Sequence, residues 1–187
     1  MENRMTVLKQ EILARRGEKR PFLVALEGGS ASGKSTLGAA LAREMDATLV
    51  HMDDFFLPME LRTPERFAQP GGNIHWERVL TEVLQPLTEG KPLEYGVFNC
   101  AVMAVDQICR ETPKDIVIVE GAYSLHPRLR AFYDLKIFIE VEESTQKERI
   151  LARNGEKMLQ RFLREWIPLE RAYFEACGVK DCCDIVL

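Results

Sequence analysis

A run of eight residues near the N-terminus has the composition and spacing of a phosphate-binding loop. Gly28-Gly29-Ser30-Ala31-Ser32-Gly33-Lys34-Ser35 matches the pattern G-x-x-x-x-G-K-[ST] at every fixed position. In such a loop the backbone N–H groups turn inward around a phosphate, and the following helix adds its positive dipole end. Lys34 would neutralise the outer phosphates, and the Ser35 hydroxyl would contact Mg²⁺. We therefore predict that residues Gly28 to Thr36 bind a nucleoside triphosphate.

Three kinds of protein use such a loop: a GTPase switch, an ATPase motor and a kinase that acts on a small molecule. A switch needs a guanine-reading Asn-Lys-x-Asp segment, which this sequence lacks. A motor usually needs more chain than the 187 residues present. A small-molecule kinase needs a base for the acceptor hydroxyl, an acceptor pocket and a mobile cationic lid. The kinase interpretation therefore predicts that these three parts occur elsewhere in the sequence.

Candidate acids follow the second apolar segment of the chain. Asp53 and Asp54 come directly after ATLVHM (47–52). If that segment is a parallel strand, its carboxyl end faces the ligand-binding edge of the sheet. A carboxylate there can accept the proton of an attacking hydroxyl and hold Mg²⁺ through water. The alternative is a pair of acids that cap a turn, and we favour this structural role for Asp54.

The elements that would position these groups alternate along the chain. Apolar residues make up 46% of the sequence, enough for a core. We predict an N-terminal helix over 3–16 with Met5, Leu8, Ile12 and Leu13 on one stripe, and a surface loop over 57–73. The predicted strands are 22–27, 47–52, 115–121, 135–141 and 183–187, the predicted helices are 35–45, 76–88 and 143–176, and a hairpin lies within 92–112. This order predicts an α/β fold whose mostly parallel sheet is covered on both faces.

Three segments together resemble a known family. GGSASGKST, MDDFF and VEGAYSLHP, in this order, resemble the uridine kinase-like group of P-loop kinases, which includes nicotinamide riboside kinases and, more distantly, phosphoribulokinase and bacterial pantothenate kinase. The resemblance implies a P-loop NTPase three-layer α/β/α fold with a mostly parallel five-stranded sheet, a small hairpin and a helical lid. It divides the chain into an N-terminal helix (1–20) and a kinase domain (21–187), with the lid at about 149–161. It also implies ATP and Mg²⁺ as cofactors.

The same resemblance assigns roles to single residues. Asp53 would receive the proton of the acceptor hydroxyl and lie near the metal, and Glu120 would hold a Mg²⁺-bound water. Arg153 would close over the transferred phosphoryl group, with Arg161 as a second lid residue. For the lid, a solvated charged helix is the alternative interpretation.

The acceptor pocket matches uridine kinases less well. Phe98 stands where a tyrosine is common, Asn99 replaces an aspartate and His75 replaces a sugar-binding carboxylate. With Phe56 and Arg161, these residues are the predicted substrate contacts. The predicted reaction transfers the γ-phosphoryl group of ATP to a small-molecule hydroxyl, foremost the 5′-hydroxyl of uridine or cytidine. The alternatives are nicotinamide riboside, pantothenate or a sugar phosphate as acceptor, or a nucleotide-binding regulator with little transfer activity.

Charge and cysteine content limit the partners that we expect. The net charge of −4 favours neither nucleic acid nor an anionic membrane as a partner. The charged N-terminus lacks the apolar core of a signal peptide, and no apolar run is long enough for a membrane helix. Five cysteines without C-x-x-C spacing are predicted to be buried free thiols of a cytoplasmic protein. The predicted N-terminal helix can either pack against the domain or join subunits of a homo-oligomer.

Overall fold

Five apolar strands form a parallel sheet at the centre of the protein, and two further strands form a hairpin. The computed structural model describes residues 2–187, with side chains from Arg4 onward. The strands are β1 (Phe22–Gly28), β2 (Thr48–His51), β3 (Leu93–Asn99), β4 (Ala104–Glu111), β5 (Ile116–Glu120), β6 (Leu135–Ile139) and β7 (Ile185–Val186). The sheet order is β2-β5-β1-β6-β7 with all neighbours parallel, and β3 and β4 pair antiparallel. The predicted five-stranded sheet and separate hairpin are confirmed.

Helices connect the strands on both faces of the sheet. They are α1 (Glu2–Arg16), α2 (Lys34–Glu44), α3 (Pro64–Phe67), α4 (Trp76–Arg78), α5 (Gln85–Thr88), α6 (Glu143–Arg161) and α7 (Ile167–Ala176). Single π-helical stretches join α4 to α5 at Val79–Leu84 and α6 to α7 at Phe162–Trp166. The predicted surface loop over 57–73 contains a 3₁₀ turn at Met59–Leu61 as well as α3. No helix among residues 2–187 is both long enough and apolar enough to cross a membrane.

Alternate residues of β1 serve two separate cores, which makes the fold a three-layer one. Leu23 and Ala25 pack into a core with the hairpin, the 76–88 helical segment and α7. Val24 and Leu26 pack into the opposite core with α1 and α2. Because side chains alternate across a strand, a continuous apolar strand can supply both faces of a covered sheet.

The N-terminal helix packs onto the same face as α2. Met5, Leu8 and Ile12 are buried in that core, and Lys9 pairs with Glu44 of α2 at 2.8 Å. The predicted apolar stripe is wrong at its last position, because Leu13 is 60% exposed. Met1 of the predicted segment lies outside the described residues, and the boundary at residue 20 remains a prediction.

The five cysteines are free, as predicted, but they are less buried than predicted. Cys100, at the turn of the hairpin, is exposed, and the other four are half-buried. Cys100 lines the large cavity described below, and its side chain is open to solvent there.

Strand direction places the candidate chemical groups at one edge of the sheet. The carboxyl end of β1 enters the glycine-rich loop, that of β2 precedes Asp53, and that of β5 ends in Glu120. The neighbouring strands β1, β5 and β2 are in register, with Leu26 opposite Glu120 and Glu120 opposite His51. Three segments that lie far apart in sequence therefore meet at this edge.

Candidate active site

The glycine-rich loop forms a tight turn between β1 and α2. A Cβ atom on Gly28 would lie 2.6 Å from the backbone oxygen of Ile139, so this position excludes any side chain. Gly33 immediately precedes α2, and Lys34 donates from Nζ to the backbone oxygen of Gly29 at 3.1 Å. This is the arrangement of a loop wrapped around a phosphate site, with its lysine folded across it.

A single large cavity opens over this loop. Its volume is about 1520 Å³, and residues 30–36 form one wall. Asp53 and Phe56 line the cavity from the segment after β2, and Arg153 and Arg161 line it from α6. The structure therefore brings the predicted phosphate loop, base and lid arginines to one space.

Two side chains of α6 form hydrogen bonds with the backbone of the loop. Gln146 donates from Nε2 to the backbone oxygen of Ser30 at 2.7 Å. Arg149 donates from Nη1 to the backbone oxygens of Ala31 and Ser32 at 3.0 and 3.1 Å. Since α6 also carries Arg153, any movement of this helix acts on the loop as well as on the lid.

The Asp53 carboxylate lies in the cavity next to the loop lysine. It stands in a 3₁₀ turn that directly follows β2. The side chain is open to the cavity but has protein on most sides, and the resulting loss of hydration raises its pKa. The positive charge of Lys34 acts against this rise in pKa, as does that of Arg153, whereas Glu120 adds to it. A carboxylate with a raised pKa beside a phosphate-binding lysine suits general-base chemistry.

Glu120 links the ends of three elements. Its Oε2 accepts a hydrogen bond from the Ser35 hydroxyl at 3.0 Å, and its Oε1 lies 2.6 Å from Nδ1 of His51. The hydrogen bond with Glu120 is the main reason why the pKa of His51 is raised. The structure thus places His51 in direct contact with the predicted metal-site acid.

The oxygen ligands at this point fit Mg²⁺. A hydroxyl and carboxylates are the protein groups that Mg²⁺ takes, and in kinases the phosphates of the nucleotide complete its coordination. Ser35 and Glu120 are already within hydrogen-bonding distance of each other, with Asp53 electrostatically coupled to Glu120. These three residues would hold the metal, which would supply positive charge to the phosphates.

Three of the predicted substrate contacts lie outside the cavity wall. Phe98 is 5% exposed and packs edge-on against Phe56, with the ring centroids 6.2 Å apart. Asn99 donates to Asp106 at 2.6 Å and accepts from the backbone N–H of Ala101 at 2.8 Å, both within its own hairpin. Phe98 therefore supports the wall from behind, and the Asn99 side chain is satisfied locally.

His75 occupies a separate shallow recess. Its ring lies among Leu57, Leu61, Arg66 and Glu77, and its Nδ1 is 3.3 Å from a Glu77 oxygen. The pKa of His75 is lowered, chiefly by burial. Of the predicted substrate contacts, the described structure thus places only Phe56 and Arg161 on the cavity wall.

Comparisons with known proteins agree with this geometry. No family model matches the chain. A uridine kinase of Clostridium perfringens (strain 13) is 25% identical over 186 residues, which cover 90% of this chain and 88% of that relative. A uridine kinase of Streptococcus agalactiae is 26% identical over 150 residues, which cover 74% of this chain and 70% of that relative. A possible uridine kinase from Bacillus stearothermophilus superimposes with a TM-score of 0.77 at 19% identity, covering 100% of this chain and 98% of that one.

The chain is thus similar in sequence to uridine kinases and shares the fold of a possible uridine kinase. A candidate fructose transport system kinase from Silicibacter sp. TM1040 shares the fold, with a TM-score of 0.73, 24% identity and 98% coverage of both chains. Proteins named for different acceptors thus share this architecture.

Two residues of the candidate site escaped sequence reasoning. Glu170 of α7 accepts hydrogen bonds from Ser30 of the glycine-rich loop, and Arg62 lines the cavity from the 57–73 segment. Both residues lie in stretches without a motif, and only the folded chain brings them to the site. The positions of charged residues in the sequence do not distinguish Glu170 and Arg62 from the many other charged residues of the chain.

Proposed function

We propose that the protein transfers the γ-phosphoryl group of ATP to a hydroxyl of a small metabolite. The observation that carries this proposal is the shared position of Asp53 and Lys34 in one cavity, close enough for the lysine charge to lower the carboxylate pKa. An acceptor alcohol between them would have a base on one side and the terminal phosphate on the other.

Each group then has a separate task in the proposed reaction. The loop N–H groups and Lys34 bind the phosphates and offset the charge that develops on them during transfer. Asp53 takes the proton from the acceptor hydroxyl. Arg153 adds positive charge when the lid closes, and Ser35 and Glu120 hold Mg²⁺.

A ribonucleoside is the first acceptor to test, because the sequence relatives are named uridine kinases. The 5′-hydroxyl of uridine or cytidine would then face Asp53. One observation favours a different metabolite: His75, Phe98 and Asn99, the positions expected to hold the nucleoside, do not line the cavity. Nicotinamide riboside, pantothenate and a sugar phosphate are the alternatives within the same chemistry.

Turnover of the Asp53→Asn variant tests the proposal. Acceptor-dependent ADP release should fall by about 10²-fold or more, the range of a general base, while ATP binding persists. Asp54→Asn, at the adjacent half-buried acid, is the matched control and should retain most of the activity. Unchanged turnover in Asp53→Asn would instead favour a nucleotide-binding regulator or a different base.

A further inference from the structure

The cavity gathers positive charge within an acidic protein. Seven cationic and three acidic side chains line it, whereas the formal net charge of the chain is −4. The cationic residues are Arg4, Lys34, Arg62, Arg149, Arg153, Arg161 and Arg164, and the acidic residues are Asp53, Glu165 and Glu170. Mg²⁺ and ATP together would offset only part of this charge, because the metal neutralises some of the phosphate charge.

The cations fall into two groups within the cavity. Lys34 and Arg153 lie at the transfer centre, where both act on the pKa of Asp53. Arg62 belongs to a different group, because it lies over the rings of Phe67 and Phe98 and its pKa is lowered by the charge of Arg161. Neither Lys34 nor Arg153 is among the groups that act on the pKa of Arg62, so Arg62 stands apart from the transfer centre.

Arg62 has no counterion among the side chains that the structure describes, residues 4–187. Its Nε donates to the backbone oxygen of Leu57 at 2.6 Å, and no carboxylate of the described chain forms an ion pair with it. Its guanidinium lies over the rings of Phe67 and Phe98, at 5.9 and 6.0 Å from their centroids. Both Nη groups remain without a protein acceptor, so this guanidinium is held in place with its outer nitrogens free.

Arg161 faces Arg62 from the lid. Its Nε donates to Glu165 at 2.9 Å, and its guanidinium lies 4.8 Å from the Trp166 ring centroid. Burial lowers the pKa of Arg62, and the like charge of Arg161 lowers it further. The repulsion between two guanidinium groups across a cavity is relieved when an anion binds between them. The planar arrangement of guanidinium N–H donors matches the oxygens of a carboxylate or a phosphate.

We infer that the acceptor carries an anionic group, a carboxylate or a phosphate, that binds between Arg62 and Arg161 while its hydroxyl faces Asp53. The inference rests on the proposed kinase function and narrows its substrate class to hydroxylated organic anions. Phe56 and Phe67 would pack against the carbon skeleton of such an acceptor. A neutral nucleoside would leave Arg62 without an anionic partner.

Binding to the nucleotide-loaded protein tests the inference without requiring turnover. Wild type is saturated with Mg²⁺ and a non-hydrolysable ATP analogue, which occupies the cations of the phosphate loop. Matched pairs are then titrated by calorimetry: D-glycerate against glycerol, and ribose 5-phosphate against ribose, with inorganic phosphate as the smallest probe. We expect the anionic member of each pair to bind at least tenfold more tightly than the neutral one.

Arg62→Met should weaken anion binding by about tenfold or more, because it removes a charged donor pair while keeping an apolar stem. Arg128→Met is the matched control, since Arg128 also lies over an aromatic ring, at 5.7 Å from the Trp76 centroid, but does not line the cavity. The control should bind the anions as wild type does. Equal binding of neutral and anionic probes, no anion binding at all, or full affinity in Arg62→Met would each overturn the inference.

Turnover separates this inference from the proposed function. If uridine supports Asp53-dependent ADP release while no anion binds, the anionic acceptor is rejected and the kinase function stands. If anions bind through Arg62 but no acceptor supports ADP release, the anion site stands and the kinase function is rejected.

Discussion

Glu170 binds the phosphate loop through Ser30. Its Oε2 accepts the backbone N–H of Ser30 at 2.9 Å, and its Oε1 accepts the Ser30 hydroxyl at 2.5 Å. Glu170 is buried, and burial raises its pKa despite these donors. The helix that follows the lid is therefore bonded directly to the loop that binds nucleotide.

Removing this carboxylate should destabilise the protein. Glu170→Ala leaves the Ser30 N–H without its acceptor in a half-buried position, a loss of about 1 kcal/mol or more. For a protein of this size the melting temperature should fall by about 2–4 °C for each kcal/mol. Thermal denaturation of the nucleotide-free protein measures this effect. Glu175→Ala, at an exposed position of the same helix, is the control, and equal melting temperatures for the two variants would show that the contact adds no stability.

The pH dependence of turnover should report the pKa of Asp53. A general base must be ionised, so kcat/KM should fall on the acid side through an apparent pKa above the ordinary aspartate value. Because the charge of Arg153 lowers this pKa, Arg153→Gln should move the acid limb to higher pH as well as lowering the rate. Arg110→Gln, in an exposed pair with Glu94, should leave the limb in place. If the acid limb of the kcat/KM profile did not move in Arg153→Gln, the electrostatic interaction between Arg153 and Asp53 would be contradicted.

The sequence could predict those parts of the site that depend on local backbone geometry and strand order. The phosphate loop follows from glycine and lysine spacing, and the position of Glu120 follows from parallel strands ending at one edge. Glu170 could not be predicted, because its partner Ser30 lies 140 residues away. Asn99 was assigned to the pocket from its position in a motif, but nearby hairpin groups satisfy its side chain and keep it from the cavity.

Gly155 gives the lid its bend. Its φ of 77° and ψ of 171° interrupt α6 two residues after Arg153, in a region of backbone space that suits glycine alone. Gly155→Ala has room for its methyl group, since nothing lies within 4 Å of the added Cβ, so its effect is on the backbone. We expect a strain of about 1–3 kcal/mol that favours a continuous helix, displaces Arg153 and lowers kcat for ADP release.

A substitution at a second glycine, Gly90, distinguishes the effect of backbone strain from an effect on the lid. Gly90 also has a positive φ, 67°, and open space around its Cβ position, but it does not line the cavity. Gly90→Ala should lower the melting temperature to a similar extent with little change in kcat. Equal kcat values for the two variants would show that the bend has no part in turnover.

Glu27 is an acid buried beneath the site. Its carboxylate accepts the backbone N–H groups of Gly28, Tyr123 and Leu125, each at 3.0 Å, and the Tyr173 hydroxyl at 3.1 Å. Burial nevertheless raises its pKa from 4.5 to about 7, although these donors and Lys34 act in the opposite direction. One side chain of β1 therefore joins the loop after β5 to α7.

The stability of the protein should fall with rising pH because of this group. Between pH 4.5 and about 7 the folded protein retains a proton on Glu27 that the unfolded chain has lost. The unfolding free energy therefore decreases across this window, by an amount on the order of 3 kcal/mol, and stays reduced above it. Glu27→Gln should be less stable than wild type at pH 5, because the amide NH₂ of the new side chain meets the hydrogen-bond donors that surround Glu27. The unfolding free energy of this variant should not show the decrease with pH that Glu27 causes. Urea denaturation of both proteins between pH 5 and 8 measures the contribution of Glu27 to the pH dependence of the unfolding free energy, because His51 and His126 titrate in both proteins. If the unfolding free energy changed equally with pH in the two proteins, the raised pKa of Glu27 would be contradicted.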